Sequence, residues 1–284
     1  MRPFLAVGLV LLALGELVLL VLSGLVLLAM SGLPAPAASA DASPAELARP
    51  FVPSISIQPD SNQSPGTSAG GFAWGQPGAG FSASGIVRCG GAIGTAQLVL
   101  RADLIVTAGH VLVGPQGPRG GACIFEPAAG GGAVAIEEHS IRSGSARPLA
   151  DPAARDWAVA RLAAAIPGAR PYALAAPPGV PAAVAMYAGG HGRADGMAVE
   201  RCSARYFIGT SAQGVREVAI DCNAAPGASG AALLDARHRA WAIYVGYRSA
   251  NPDQPQPFSR THYNFAISIE GPFRRAVQAA AGGR

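Results

Sequence analysis

The pattern that most limits the fold of this chain is a long series of short apolar segments separated by glycine- and proline-containing turns. The series begins at Gly85 and continues almost to the C-terminus. Short, regularly punctuated strands indicate a β-sandwich or β-barrel rather than a parallel sheet covered by helices. Only residues 272–281 have a helical pattern. Residues 85–284 are therefore predicted to form one all-β domain that ends in a short helix.

The predicted strands are spread over the whole of this domain. In its first part they are residues 86–93, 97–100, 104–107, 133–136, 157–162 and 182–187. In its second part they are residues 200–202, 205–208, 216–221, 231–234, 240–247 and 265–269.

A nearly continuous apolar segment occupies residues 4–30. At about 1.5 Å per residue, a helix of this length could cross a bilayer and act as a membrane tether. The positive charge of Arg2 and the amino terminus predicts that the rest of the chain lies outside the membrane. Ala38 and Ala40 have the spacing of a signal-peptidase site. Residues 1–40 are therefore predicted to be either a cleaved signal peptide or a retained anchor, and both alternatives export the domain.

Residues 41–84 are rich in Pro, Gly, Ser and Ala. A segment of this composition buries too little apolar surface to order itself, so it is predicted to be a flexible linker or a prosegment. Phe72, Trp74 and Phe81 are the side chains within it that could dock onto the folded domain.

The composition excludes several chemistries. All 21 basic residues are arginine and none is lysine, which rules out a Walker-type phosphate lysine, a lysine Schiff base and a Ser-Lys dyad. The net charge of +4 comes from scattered arginines without interleaved aromatic residues, so nucleic acid is not an expected partner. Four histidines have no metal-ligand spacing and are interpreted as surface or turn residues: His139, His191, His238 and His262. No metal or cofactor is expected.

Three short motifs carry the candidate chemistry. Thr107-Ala108-Gly109-His110 ends an apolar run, Asp156-Trp157-Ala158-Val159 begins one, and Gly227-Ala228-Ser229-Gly230 consists of small residues. In order and spacing these segments resemble the trypsin-like, or chymotrypsin-fold, serine peptidases over about residues 85–284. The Ser, Asp, His order of nucleophile-elbow enzymes and the Asp, His, Ser order of subtilisin-type enzymes do not fit.

The resemblance implies a fold of two six-stranded antiparallel β-barrels with the site between them. It also implies roles for the motif residues. Ser229 would be the nucleophile, His110 the base that takes its proton, and Asp156 the group that fixes the tautomer of His110. The backbone N–H groups of Gly227 and Ser229 would form the oxyanion hole.

Four cysteines in an exported domain favour disulfides over metal ligands. They allow three connectivities. We favour the pairing of Cys89 with Cys123, which ties the strand before His110 to a later one. Cys202 would then pair with Cys222 and close a loop beside the serine.

Departures from the best-known members of the family bear on activation and specificity. Ala228 stands where zymogen-type members carry the Asp that pairs with a freed amino terminus, so activation by that salt bridge is not expected. Cys222, placed shortly before the serine, resembles the bacterial glutamyl-endopeptidase branch. That branch often places a histidine at the position of Tyr244, and its absence argues against specificity for glutamate.

The resemblance also locates the candidate substrate-binding residues. The floor of the primary pocket would be Asn223, its wall Ala224 and Tyr244, and the edge that pairs with substrate Val245, Gly246 and Tyr247. The sequence thus predicts an exported, periplasmic or secreted serine endopeptidase that acts on protein or peptide substrates. Two alternatives remain open: a catalytically silent binding domain with the same fold, and an esterase with the same triad.

Overall fold

The computed structural model describes residues 81–189, 197–224, 226–251 and 256–283. The predicted signal or anchor segment, residues 1–40, and all but the last few residues of the predicted linker, residues 41–84, lie outside these ranges. No helix within them combines the length and apolar character needed to cross a membrane.

The N-terminal half is a seven-stranded antiparallel sheet with the strand order β7-β6-β1-β2-β3-β9-β8. A two-stranded ribbon, β4 with β5, and a short helix, α1 (Gly109–Leu112), lie between β3 and β6. The strands are β1 (Ser84–Cys89), β2 (Ala92–Leu98), β3 (Leu104–Thr107), β4 (Val113–Gly114), β5 (Gly117–Pro118), β6 (Ile124–Pro127), β7 (Val134–Ala135), β8 (Arg142–Ser143) and β9 (Ala158–Arg161).

The C-terminal half is a closed barrel of six strands in the order β10-β11-β12-β15-β14-β13. Its interior is apolar and is built around Trp241 and Met186, both of which are fully buried. The strands are β10 (Ala182–Gly189), β11 (Met197–Thr210), β12 (Arg216–Ile220), β13 (Ala232–Leu234), β14 (Ala240–Ser249) and β15 (His262–Ser268), and helix α2 (Gly271–Gly282) follows them.

The predicted all-β, chymotrypsin-like class with a C-terminal helix is confirmed, and the two halves differ in closure. The second half closes with six strands, whereas the first is a curled half-barrel of seven. Strands β7 and β8 at its two ends pair over only two residues each. Such short edge strands give too few ladder hydrogen bonds to join the ends of the sheet.

One predicted strand, residues 86–93, is in fact two. Gly90 and Gly91 have φ angles of 52° and 80° and form a turn that separates β1 from β2. Positive φ angles of this kind are accessible to glycine without strain. Conversely, the predicted segments 200–202 and 205–208 belong to the single strand β11. Phe81, considered as a docking residue, is buried and packs on the rings of Tyr187 and His238.

Helix α2 packs against the first sheet although it follows the second barrel in sequence. Its buried residues Phe273 and Val277 are four apart and so share one face. The ring of Phe273 stacks on Trp157 with 5.0 Å between centroids. Arg161, on β9, donates hydrogen bonds to the carbonyl oxygens of Ala280 and Gly283 at the end of the helix, where the dipole favours a cation. The helix therefore joins the two halves.

Both predicted disulfides are present, and the described residues contain no free cysteine. Cys89 at the end of β1 is bonded to Cys123 immediately before β6, and Cys202 on β11 is bonded to Cys222 after β12. Disulfides persist in oxidising compartments, so the two bonds indicate an extracytoplasmic location.

A fully buried ion pair lies on the second barrel. Nη1 of Arg248 donates to Oε2 of Glu217 at 2.6 Å, and the guanidinium also lies over the ring of Phe265. The two side chains are 4% and 2% exposed. Burial raises the pKa of the Glu217 carboxyl, and Arg248 opposes that rise. Among the described residues, each charge of this pair therefore has the other as its counter-charge.

Arg248→Met is expected to lower the free energy of unfolding by about 3–5 kcal/mol, because it leaves the carboxylate of Glu217 buried without its partner. The double variant Glu217→Leu, Arg248→Met removes both charges and should recover most of the loss. Urea unfolding followed by tryptophan fluorescence measures the free energy of unfolding of the single and the double variant. Arg147→Met is the control, since Arg147 is 69% exposed and pairs with Asp151 at the surface, where a pair contributes about 0–1 kcal/mol. A loss in Arg248→Met no larger than in this control would contradict the prediction.

Candidate active site

His110 and Asp156 form a buried pair on the first sheet. Nδ1 of His110 lies 2.6 Å from Oδ2 of Asp156, and the backbone N–H of His110 donates to Oδ1 at 2.7 Å. Asp156 is fully buried and His110 is 7% exposed. The two carboxylate oxygens of Asp156 thus bind the main-chain N–H and the imidazole ring of His110. The ring is thereby oriented with Nδ1 as the donor, which places the lone pair of the neutral ring on Nε2.

Local sequence explains how the pair comes together. His110 is in the first turn of α1, directly after β3, and Asp156 directly precedes Trp157 and the β9 strand that pairs with β3. A Cβ atom on Gly109 would lie 2.9 Å from Oδ1 of Asp156 and 3.1 Å from the nitrogen of Trp157. A side chain at this position would therefore displace the carboxylate, which explains the glycine of the Thr-Ala-Gly-His motif.

Ser229 lies in the second half but is hydrogen-bonded to the first. Its carbonyl oxygen accepts a hydrogen bond of 2.8 Å from the backbone N–H of Thr95, on β2. A Cβ on Gly230, the next residue, would overlap Oγ1 of Thr107 and lie 2.8 Å from the nitrogen of Ala108. Residues 229 and 230 are thus packed against the segment that leads into His110. The structure brings all three motif segments to the junction of the two halves.

Gly227 has a φ angle of +103°, which an L side chain rarely adopts. It is half-buried, while Ala228 and Ser229 are buried. Gly227, the first residue of this motif of small residues, therefore occupies a backbone conformation that favours glycine.

Three polar residues at this junction were not predicted from the sequence. Gln97 is fully buried; its amide donates to the carbonyl oxygens of Val106 and Gly230 and accepts from the N–H of Ala232. The second is Thr95, described below. Thr95 and Gln97 are polar side chains two residues apart in an apolar strand, which places them on the same face, and this pattern could have pointed to them.

The third is Arg119. Its guanidinium donates to the carbonyl oxygen of His110 at 3.0 and 3.2 Å. The carbonyl of the candidate base is thus held by Arg119, while its N–H is held by Asp156. No pattern in the sequence indicated this contact, because the arginine lies in an irregular glycine-rich segment.

The predicted wall of the primary pocket contains a hydrogen-bonded chain. Tyr244 is fully buried and its hydroxyl donates to Oδ1 of Asn264 at 3.0 Å. The amide of Asn264 donates to the carbonyl oxygen of Cys222 at 2.7 Å. Burial raises the pKa of the Tyr244 phenol, so it stays protonated and remains a donor. Asn264 was not predicted. An isolated amide within the largely apolar strand β15 could have indicated a buried polar residue.

The remaining predicted substrate-binding residues lie near this chain. Asn223 is half-buried and Ala224 is buried, both directly after Cys222. Val245, Gly246 and Tyr247 are buried on β14. Gly246 and Tyr247 pair with β15, and Val245 lies at a register shift of that ladder. On its other side β14 pairs with β13 only as far as Ile243 within the described part of the chain.

The histidines outside the motif differ in their environments. His139 is exposed and His238 lies in a turn with a φ angle of 54°, as predicted. The interpretation of His262 as a surface or turn residue is wrong, because it is fully buried on β15 with Nδ1 2.8 Å from the hydroxyl of Ser249. Its alternation with Asn264 and Ala266 directs it inward. His191 lies outside the described residues.

Solved structures resemble this fold at low sequence identity. A Glu endopeptidase solved with MPD gives a TM-score of 0.55 at 15% identity, over 72% of this chain and 93% of that one. The active form of the Rv3671c protease from M. tuberculosis gives 0.50 at 16% identity, over 72% and 83%. The HtrA-type protease AlgW with a tripeptide gives 0.50 at 17% identity, over 70% and 58%. At such identities these similarities show the fold alone.

No curated protein matches this chain. A family does: the one described as the trypsin-like peptidase domain matches residues 83–243, more than half of the sequence. The match begins at the start of β1 and ends within β14, so it includes all three motifs. The resemblance inferred from those motifs is thereby confirmed, and the chain belongs to the trypsin-like peptidase domain family.

Proposed function

We propose that this protein is an exported serine endopeptidase that hydrolyses peptide bonds through His110, Asp156 and Ser229. The observation that carries the proposal is the buried Asp156 carboxylate, which accepts hydrogen bonds from both the main chain and the ring of His110. A fully buried carboxylate has a high desolvation cost, and a neighbour that becomes cationic during the reaction offsets it. Family membership agrees with this chemistry.

In the proposed mechanism Oγ of Ser229 attacks the scissile carbonyl carbon while Nε2 of His110 takes the hydroxyl proton. Asp156 stabilises the resulting imidazolium. The tetrahedral intermediate collapses, the peptide C–N bond breaks, and His110 returns the proton to the leaving amine. Water then attacks the acyl ester with His110 again as base, which releases the acid and regenerates Ser229.

The negative charge on the tetrahedral oxygen requires donors that are already in position. The N–H groups of Gly227 and Ser229 are the proposed donors, and loss of one such donor typically lowers the rate about 10²- to 10³-fold. The positive φ angle of Gly227 supports this role, since the turn lets two N–H groups point in one direction.

Ser229→Ala is expected to lower turnover roughly 10⁴- to 10⁶-fold with little change in thermal unfolding, because the hydroxyl is used for chemistry. A fluorophosphonate probe and peptide mapping should place the label on Ser229 in the wild-type protein. Ser211→Ala is the control, since Ser211 lies in the turn between β11 and β12 and its hydroxyl accepts only a local N–H. Equal labelling of Ser229→Ala and wild type would reject the assignment, and labelling without peptidase activity would favour the esterase.

Asp156→Asn is expected to lower kcat about 10⁴-fold, since an amide at this position stabilises the wrong tautomer of the histidine. Steady-state kinetics on the same peptide substrate measure the change. Asp151→Asn is the matched control, because this aspartate lies five residues earlier and pairs with Ser145 and Arg147 away from the histidine. Comparable kcat values for the two variants would mean that Asp156 has no role in the reaction.

Primary specificity follows from the proposed pocket. Its floor, Asn223, is an uncharged amide, whereas trypsin-like enzymes selective for Lys and Arg place a carboxylate there. A buried cation without a counter-charge is strongly disfavoured. An acidic guest is the second candidate, because Asn223 and a tyrosine hydroxyl can donate to a carboxylate, but the Tyr244 hydroxyl already donates to Asn264. A small or medium neutral side chain is therefore the proposed guest.

Profiling on a diverse peptide library should show cleavage after small or medium neutral residues and no preference for Lys or Arg. Asn223→Asp supplies the missing carboxylate and should raise the relative rate for Arg substrates. A wild-type preference for Lys or Arg above about tenfold, a difference of about 1.4 kcal/mol, would contradict this description of the pocket.

The proposed site of action is outside the cytoplasm, in the periplasm or secreted. The two disulfides support it, and so does the apolar segment of residues 4–30, which we propose exports the domain and, if retained, tethers it to the membrane.

A further inference from the structure

Thr95, a fully buried residue on β2, has every polar atom engaged at the junction of the two halves. Its N–H donates to the carbonyl oxygen of Ser229 at 2.8 Å and its own carbonyl accepts from Oγ1 of Thr107 at 2.7 Å. Its hydroxyl donates to the carbonyl oxygen of Gly227 at 2.7 Å and accepts from the N–H of Gly189 at 2.9 Å. A hydroxyl has one proton and can accept as well, so the arrangement satisfies it.

Both residues proposed as oxyanion donors are therefore held by the same residue of the other half. The hydroxyl of Thr95 binds the carbonyl of Gly227, and its main-chain N–H binds the carbonyl of Ser229. We propose that Thr95 is a positioning residue that holds residues 227–229 in the conformation that directs two N–H groups at the substrate oxygen. This inference rests on the proposed function and concerns a residue outside the triad.

Gly227 needs such a restraint because it is a glycine. Without a Cβ it reaches both signs of φ at little cost, so its own sterics do not select the direction of its N–H. A hydrogen bond to its carbonyl oxygen fixes one end of the residue and limits the rotations left to the other. The oxyanion donors contribute most when they are preorganised, because no reorganisation is then needed during the reaction.

The hydroxyl also joins elements that are far apart in sequence. Gly189 ends β10 and Gly227 precedes the serine, and both are bound to one oxygen atom on the first half. A Cβ on Gly189 would overlap Cδ1 of Ile86 and lie 3.3 Å from Oγ1 of Thr95, so the glycine lets the end of β10 approach the first half closely enough for this bond.

Thr95→Val keeps the shape of the side chain and removes the donor, and Thr95→Ser keeps the donor. In the full-length protein, Thr95→Val is expected to lower kcat about 10- to 100-fold on the best peptide from the library, with KM nearly unchanged. The second-order rate of fluorophosphonate labelling should fall by a similar factor. Affinity for a peptide aldehyde of the same sequence, which forms a tetrahedral adduct, should fall more than affinity for the substrate. Thr95→Ser should restore all three.

Ser84→Ala is the control for simple loss of stability. Ser84 is a buried residue of β1 whose hydroxyl lies 3.0 Å from that of Tyr172, so its hydrogen-bond partner is not one of residues 227–230. The inference is overturned if Thr95→Val has the kcat of the wild type, or if Ser84→Ala lowers kcat as much as Thr95→Val does.

Hydrogen exchange measured by mass spectrometry separates this inference from the proposed function. Exchange of the peptide that contains residues 223–230 should be faster in Thr95→Val and normal in Thr95→Ser, whether or not the protein turns over substrate. A wild-type protein that neither reacts with the probe nor cleaves peptides would reject the proposed function, and exchange alone would then decide: unchanged rates in Thr95→Val reject the role of Thr95.

Discussion

The hydrogen bonds between strand β2 and residues 227–232 are the constraint on which the rest of this structure depends. His110 and Asp156 are held by the first half, whereas Ser229 belongs to the second. Reacting groups must be placed within fractions of an ångström, and a misplacement of about 1 Å can lower a rate about 10²-fold. Apolar packing alone is non-directional and tolerates small slides. Hydrogen bonds between Thr95 or Gln97 and the backbone of the other half are directional, so they do not tolerate such slides.

These bonds require close approach of two backbones, and glycine provides it. A Cβ on Gly94 would lie 2.9 Å from the Ser229 oxygen, and one on Gly230 would overlap Thr107 and the carbonyl of Thr95. The junction is therefore built from small residues on one side and polar side chains of β2 on the other. Because each buried carbonyl there needs a donor, the loss of one side-chain donor costs about 1–3 kcal/mol and also releases the segment it held.

The parts of the fold and site that the sequence predicted depend on local patterns. The three motifs, the all-β class and the C-terminal helix follow from the order and spacing of particular residues such as His110. The four cysteines allowed three connectivities, and the pairing that we favoured, which is the one present, came from the strands expected beside His110 and Ser229. The parts it missed depend on partners distant in sequence. Asn264 has its role only because Tyr244 and Cys222 surround it, and Thr95 only because β2 lies against residues 227–229. The Gly90-Gly91 turn was missed because apolar residues continue on both sides.

The two halves of the protein have different physical requirements. The first holds the proposed base, whose orientation is set by a fully buried carboxylate, and it can be a sheet with open edges because His110 and Asp156 lie beside the paired strands β3 and β9, neither of which is an edge strand. The second holds the proposed nucleophile and the proposed pocket, whose wall is a chain of mutually satisfied polar groups inside a closed barrel. Closure of the barrel fixes the register of the strands that carry this wall. A residue that joins the halves, such as Thr95, is then expected to affect the reaction more than the stability, since an apolar core with residues from both halves still holds them together.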